Sequence, residues 1–177
     1  MNGNENTSPQ DEQRWTALFF PYRESVCRYL YTKTRDRDLA EDLTQETYAK
    51  AWTNREKYQE EGRPQAYLFR IAERCFLDFY RKRKASLNLE ETFESMNSRT
   101  QTESPAQVAE GAEEARKLRE TLDCLSPPQR RILTLRYFSQ LKFAEIADIL
   151  DMPLNTVLSH ARRGLLELRV RLGEAEK

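Results

Sequence analysis

The feature that most limits what this 177-residue chain can fold into is an interruption. From Ala85 to Glu114 it reads ASLNLEETFESMNSRTQTESPAQVAEGAEE, which is polar, acidic and rich in Ser, Thr and Glu, with no sustained apolar face. Such a stretch buries too little apolar surface to offset the entropy lost on ordering it, so residues 85–115 are read as a flexible linker. Roughly 30 residues reach about 100 Å at full extension, whereas a relaxed coil spans about 30 Å. The expectation is two small domains, 13–84 and 116–173, on an adjustable tether, with tails at 1–12 and 174–177.

Both domains read as all-α. Only five glycines occur, strand-like alternation is absent, and helical periodicity recurs. Trp15, Leu18, Phe19, Tyr22, Val26, Tyr29 and Lys33 keep helical spacing, with Pro21 either kinking that helix or opening a first turn. Asp36 or Asp38 can cap the next helix, which carries EDLTQETYAKAW. Its Leu43, Thr47 and Ala51 share a core side, while Asp42, Gln45, Glu46, Ala49 and Trp52 share the other. An indole among acids and an amide gains little from water, so this side is either a docking face or a merely amphipathic surface. A third helix is expected from Pro64 to about Arg83, with Leu68, Ile71 or Ala72, Cys75 and Phe79 as its core stripe.

The net charge is zero, with 29 basic and 29 acidic residues, yet the charges are segregated. Residues 70–84 hold Arg70, Arg74, Arg81, Lys82, Arg83 and Lys84 against Glu73 and Asp78, and the linker reverses that balance. Tyr67, Phe69, Phe76 and Tyr80 lie among these cations. Cations neutralise phosphates, and aromatics stack on unpaired bases at about 1–3 kcal/mol each. Phe79 and Phe76 are expected in the core; for Arg74, Tyr80 and the basic run, nucleic-acid contact and a solvated face stay open.

In the second domain, LSPPQ offers Ser126 as a helix cap, Pro127 for the first helical position and Gln129 to complete a capping box. Then FAEIADILDMPLNTVLSHARRGLLELRVRL reads as a short helix, a turn at Asp151–Pro153 and a longer helix, the spacing of a helix-turn-helix. Ile146, Ala147 and Leu150 form the brace, and Val157, Ala161, Leu165, Leu168 and Leu172 the buried stripe. Asn155, Ser159, Arg162 and Arg163 turn outward, with Thr156 and His160 on the flank. Amides, hydroxyls and guanidiniums hydrogen-bond to base edges and phosphates. An ordinary bundle helix with an exposed Arg pair is the alternative.

Other chemistries find little support. Cys27, Cys75 and Cys124 are odd in number and in no C-x-x-C spacing, and His160 is the only histidine, so no metal site is expected. No glycine-rich phosphate loop or nucleophile-base pair appears, so neither a cofactor nor an enzymatic activity is expected. The polar start MNGNENTSPQDEQ lacks a secretory pattern and no apolar run approaches the roughly 18 residues of a membrane span, so a cytoplasmic location is expected.

The segments EDLTQETYAKAW, AYLFRIAERCFLDFYRKRK and LSPPQRRILTLRYFSQLKFAEIADILDMPLNTVLSHARRG resemble bacterial RNA polymerase sigma factors of the extracytoplasmic-function (ECF) group, sigma-70 family, over residues 15–84 and 116–172. The resemblance implies that Asp42, Gln45, Glu46, Ala49 and Trp52 dock on the core polymerase. It implies recognition and melting of the minus-ten element by Arg70, Arg74, Tyr80, Arg81, Lys82, Arg83 and Lys84. It further implies reading of the minus-thirty-five element by Asn155, Thr156, Ser159, His160, Arg162 and Arg163. Implied partners are core polymerase, promoter DNA and an anti-sigma factor, with a monomer when free. The chain departs from the family pattern at Arg74 (commonly Asn), Leu158 (Lys), His160 (Arg) and Asp151 (often Gly), which puts promoter preference in question. The competing readings are a stand-alone helix-turn-helix regulator with an N-terminal oligomerisation or sensing module, and a helical interaction protein that never touches DNA.

Overall fold

The structure, a computed structural model, describes residues 9–58, 62–87 and 121–175, with side chains described through 85 and 171 in the last two stretches. Every regular element among the described residues is helical, as the periodicity predicts.

Helix α1 (Pro9–Phe19) begins inside the stretch expected as a tail. It gives way to a 3-10 turn at Phe20–Tyr22 that holds Pro21, and α2 (Arg23–Thr34) follows, so the proline breaks the long periodic segment in two. Arg35 closes α2 in the left-handed region, at φ 55°, with its N–H on the Tyr31 carbonyl. Asp36 then caps α3 (Arg37–Thr53), its Oδ1 accepting the Leu39 N–H at 3.1 Å. Helix α4 (Pro64–Leu87) starts at the expected proline and runs three residues beyond the expected boundary at Lys84.

The N-terminal core lies where α2, α3 and α4 meet. Helix α3 turns Ala40, Leu43, Thr44, Thr47 and Ala51 inward. The buried Thr44 and Thr47 hydroxyls each donate to the carbonyl four residues back at 2.7 Å, so neither is left unsatisfied. Helix α4 departs from its predicted stripe: Leu68, Phe69, Ala72, Cys75 and Phe76 are buried, whereas Ile71 and Phe79 are only half-buried. The reason is that α4 is covered on more than one side, by the N-terminal helices and by the second domain.

In the second domain, Gln129 Oε1 accepts the Ser126 backbone N–H at 2.8 Å and opens α5 (Pro127–Leu133), which ends in a wider π turn at Thr134–Phe138. Helices α6 (Phe143–Leu150) and α7 (Leu154–Ala175) form the helix-turn-helix. Its turn places Asp151 at φ 53°, ψ 49°, a left-handed position that a short polar side chain tolerates. The stripe on α7 needs correction. Val157 and Ala161 are buried, but Leu165 is 40% exposed and Gly164 takes the inward place; the Leu172 side chain lies outside the described residues. A Cβ on Gly164 would lie 3.0 Å from Leu133 Cδ1 and 3.2 Å from Gln129 Cβ. Helix α5 therefore rides directly on the glycine, and that close approach rotates Leu165 toward solvent.

The two domains pack against each other, α4 on α6. Gln65 Nε2 donates to the Ser139 carbonyl at 2.6 Å, Arg70 lies 3.9 Å from Asp148, and Arg35 pairs with Asp123. Residues 88–120, which hold nearly all of the expected linker, lie outside the described residues.

Candidate functional site

Three surfaces collect the residues singled out by sequence. On α3, Asp42, Gln45, Glu46 and Ala49 are exposed in register, and Trp52 is half-buried at the end of the row. The Trp52 ring meets Trp15 edge-on at 5.2 Å between centroids, and the Arg55 guanidinium lies 4.5 Å from its centre. The indole is thus held by two neighbours while remaining partly exposed. Lys50 pairs with Glu46 at 2.8 Å, leaving Asp42 to keep the face anionic. Trp15 and Arg55 were not predicted here; the signal for Arg55 was its place three residues after Trp52.

On α4, Arg70, Arg74, Arg81, Lys82, Arg83 and Lys84 are all exposed. Asp78 lies 3.6 Å from Arg81 and so offsets part of the basic run. Tyr80 is half-buried, its ring near-parallel to that of Phe76 at 6.4 Å. Phe76 is in the core, as expected, and Phe79 only in part.

Sequence reasoning missed Glu73, which is 3% exposed in the middle of this basic helix. The Tyr29 hydroxyl donates to its Oε2 at 2.6 Å, the buried Lys33 ammonium bonds the same oxygen, and Arg131 Nη2 lies 3.3 Å from Oε1. Lys33 also sits 4.0 Å from the centre of the Phe76 ring. Burial alone would raise the Glu73 carboxyl, but the Lys33 and Arg131 charges and the hydrogen bonds from Lys33 and Tyr29 outweigh it and hold its pKa below the ordinary value. Burial lowers Lys33 to about 8, against the attraction of Glu73.

On α7, Asn155, Ser159, Arg162 and Arg163 are exposed and Thr156 and His160 half-buried, the placement expected of them. Burial, and then the Arg163 charge, push the His160 imidazole below its ordinary 6.5. The shift favours the neutral ring, which has one donor and one acceptor nitrogen. Unforeseen is the apolar company: Leu154, Leu158, Leu165, Leu166 and Val170 are all exposed by 40% or more.

Comparison with known proteins shows the family to which the chain belongs. The family model for sigma-70 region 2 matches residues 18–86 and that for sigma-70 region 4 matches residues 115–168. The chain is 30% identical over 154 residues to the ECF RNA polymerase sigma factor SigM of Bacillus subtilis, covering 85% of this chain and 92% of that protein. The chain belongs to the ECF sigma factors. This sigma factor is also 32% identical over 136 residues to SigK of Mycobacterium ulcerans, covering 76% of this chain and 73% of the relative. Its fold is similar to that of the sigma factor RpoE of Bartonella quintana, solved with the anti-sigma factor NepR, at a TM-score of 0.70 and 22% identity over 93% of this chain and 98% of that one. It is similar also to CnrH, solved with the cytosolic domain of CnrY, at 0.63 and 17% over 94% and 90%. In the sigma factor, the α3 and α4 faces fall within region 2 and the α7 face within region 4. Among the described residues, no group of three or more His, Cys, Asp or Glu could hold a metal ion, and no helix is long and apolar enough to cross a membrane.

Proposed function

We propose that this sigma factor docks on core RNA polymerase through Asp42, Gln45, Glu46, Ala49 and Trp52, and carries promoter DNA on α4 and α7. The observation that carries the docking assignment is the α3 row: four exposed side chains in register, ending on a half-buried indole in contact with Trp15 and Arg55. A half-open tryptophan on a rigid helix is the kind of anchor that dominates protein interfaces. On α4, Arg74, Tyr80 and the Arg81–Lys84 run supply a cationic track beside an aromatic face, suited to a melted strand of the minus-ten element. On α7, Asn155, Thr156, Ser159, His160, Arg162 and Arg163 supply the donors and acceptors for the minus-thirty-five duplex.

The protein works by binding and positioning, with no catalytic group of its own, in the cytoplasm where polymerase acts. Control comes from an anti-sigma factor. Two structural neighbours were solved with such partners or a partner's cytosolic domain, and the exposed leucines of α7 offer an apolar surface to cover. The stand-alone regulator is not favoured, because the matches to sigma factors span both domains.

The test is capture of purified bacterial core polymerase by the full chain, beside a variant with Asp42, Glu46 and Trp52 all changed to alanine. Capture by the wild type that the folded triple variant loses supports the docking face. A folded wild type that captures no core overturns it.

A further inference from the structure

We infer that Leu158 is a specificity-determining residue of the minus-thirty-five contact, and that the group it reads is the 5-methyl of a thymine. The inference deepens the proposed reading of duplex by α7 and rests on it.

Folding leaves the Leu158 side chain 41% exposed. Its neighbours on the helix surface, three residues before and four after, are Asn155 and Arg162, both exposed and both assigned to the duplex. Leu158 therefore borders the row of duplex contacts. Position along α7 separates it from the other exposed apolar residues. The N-terminal residues of a recognition helix are the ones that reach base edges, in a groove about 12 Å wide. Leu158 lies about 6 Å along the helix from its first residue, whereas Leu165 lies about 17 Å and Val170 about 24 Å along it. Leu154 shares the first turn, but the buried Val157 and Leu158 itself are its neighbours ahead, so it stands further from the row.

The charge pattern narrows what Leu158 can meet. From Leu154 to Ala161 the helix holds no Arg, Lys, Asp or Glu, and burial with the Arg163 charge favours neutral His160. These first turns carry no fixed cation for the O6 and N7 acceptors of guanine; Arg162 and Arg163 come only after them. Every base presents hydrogen-bonding groups in the major groove, but the one apolar group there is the thymine methyl. A leucine set against a donor or acceptor strips its water and returns no hydrogen bond. Against a methyl it removes apolar surface from water on both sides. The base opposite Leu158 is selected accordingly. The rival is a protein contact: Leu158 also borders a surface groove with Phe143, Ala161, Leu165 and Leu166, and a partner lying there would cover it without reading DNA.

The test removes the methyl and nothing else. The full chain, assembled with purified core polymerase, selects duplexes from a fully randomised pool of promoter length. Each thymine of the selected minus-thirty-five element is then replaced singly by uracil, and affinity is read by anisotropy. Uracil at one position is expected to weaken binding by wild type and by Leu158→Met about fourfold, the contribution of one buried methyl group. Leu158→Ala should bind the thymine and uracil duplexes alike, and Leu165→Ala should discriminate as wild type does. Circular dichroism monitors folding, and Leu158→Lys, which also removes the apolar contact, decides if Leu158→Ala does not fold. Uracil duplexes that bind wild type as tightly as thymine duplexes overturn the inference. Discrimination that the folded Leu158 variants retain also overturns it and leaves the leucine to the groove. A pool that yields no preferred duplex overturns the duplex reading by α7 itself, which tells the two failures apart.

Discussion

Glu73 and Gly164 each hold a place that no neighbour in sequence announces. Among six cations Glu73 reads as a minor acid, because its partners Lys33 and Arg131 stand far away along the chain. Its depressed pKa gives a signed expectation: the stability it contributes is complete above the ordinary value of 4.5 and is lost as pH falls through the lower folded value. Urea melts in an acid series should therefore show wild type losing stability more steeply than Glu73→Gln below that value. At Gly164, a side chain must push into Leu133 and Gln129, so Gly164→Val is expected to cost about 1–3 kcal/mol in thermal or urea melts. Helical spacing pointed to Leu165 instead, since periodicity finds the apolar face but not the point where a second backbone comes closest.

Helix α3 was legible in nearly full detail. Asp36 caps it, and Leu43, Thr47 and Ala51 are buried while Asp42, Gln45, Glu46 and Ala49 are exposed, because cap chemistry and a 3.6-residue period are local. If Trp52 anchors docking, Trp52→Ala should weaken core binding by about 2 kcal/mol or more, roughly 30-fold, in a fluorescence-detected titration. Helix α7 was legible on its polar side and at Val157 and Ala161; of its five exposed apolar residues, Leu165 is read as core from sequence, because an apolar residue at helical spacing is read as facing inward. By its resemblance to the family, the chain has Leu158 where Lys is expected. Leu158→Lys should tighten binding to a minus-thirty-five duplex and steepen the slope of log affinity against log salt by about 0.9, measured by anisotropy at several salt concentrations.

For the whole molecule, composition predicted two all-helical units, and the folded regions agree. It did not predict that they meet, because the packing of α4 on α6 and the polar pairs that cross it join residues far apart in the chain and leave no compositional trace. Zero net charge adds one expectation. Phosphate neutralisation drives non-specific affinity, so the free protein should bind random duplex weakly and lose that binding steeply with salt; tight, salt-resistant binding would contradict it.

The chain has only two tryptophans, and both lie at one end of the α3 face, edge to face at 5.2 Å. All indole emission from the protein therefore originates at the surface assigned to polymerase. Docking on an unlabelled partner domain that lacks tryptophan would be visible as a spectral shift, and the near-ultraviolet dichroism of the coupled rings would track that contact while remaining blind to events at α7.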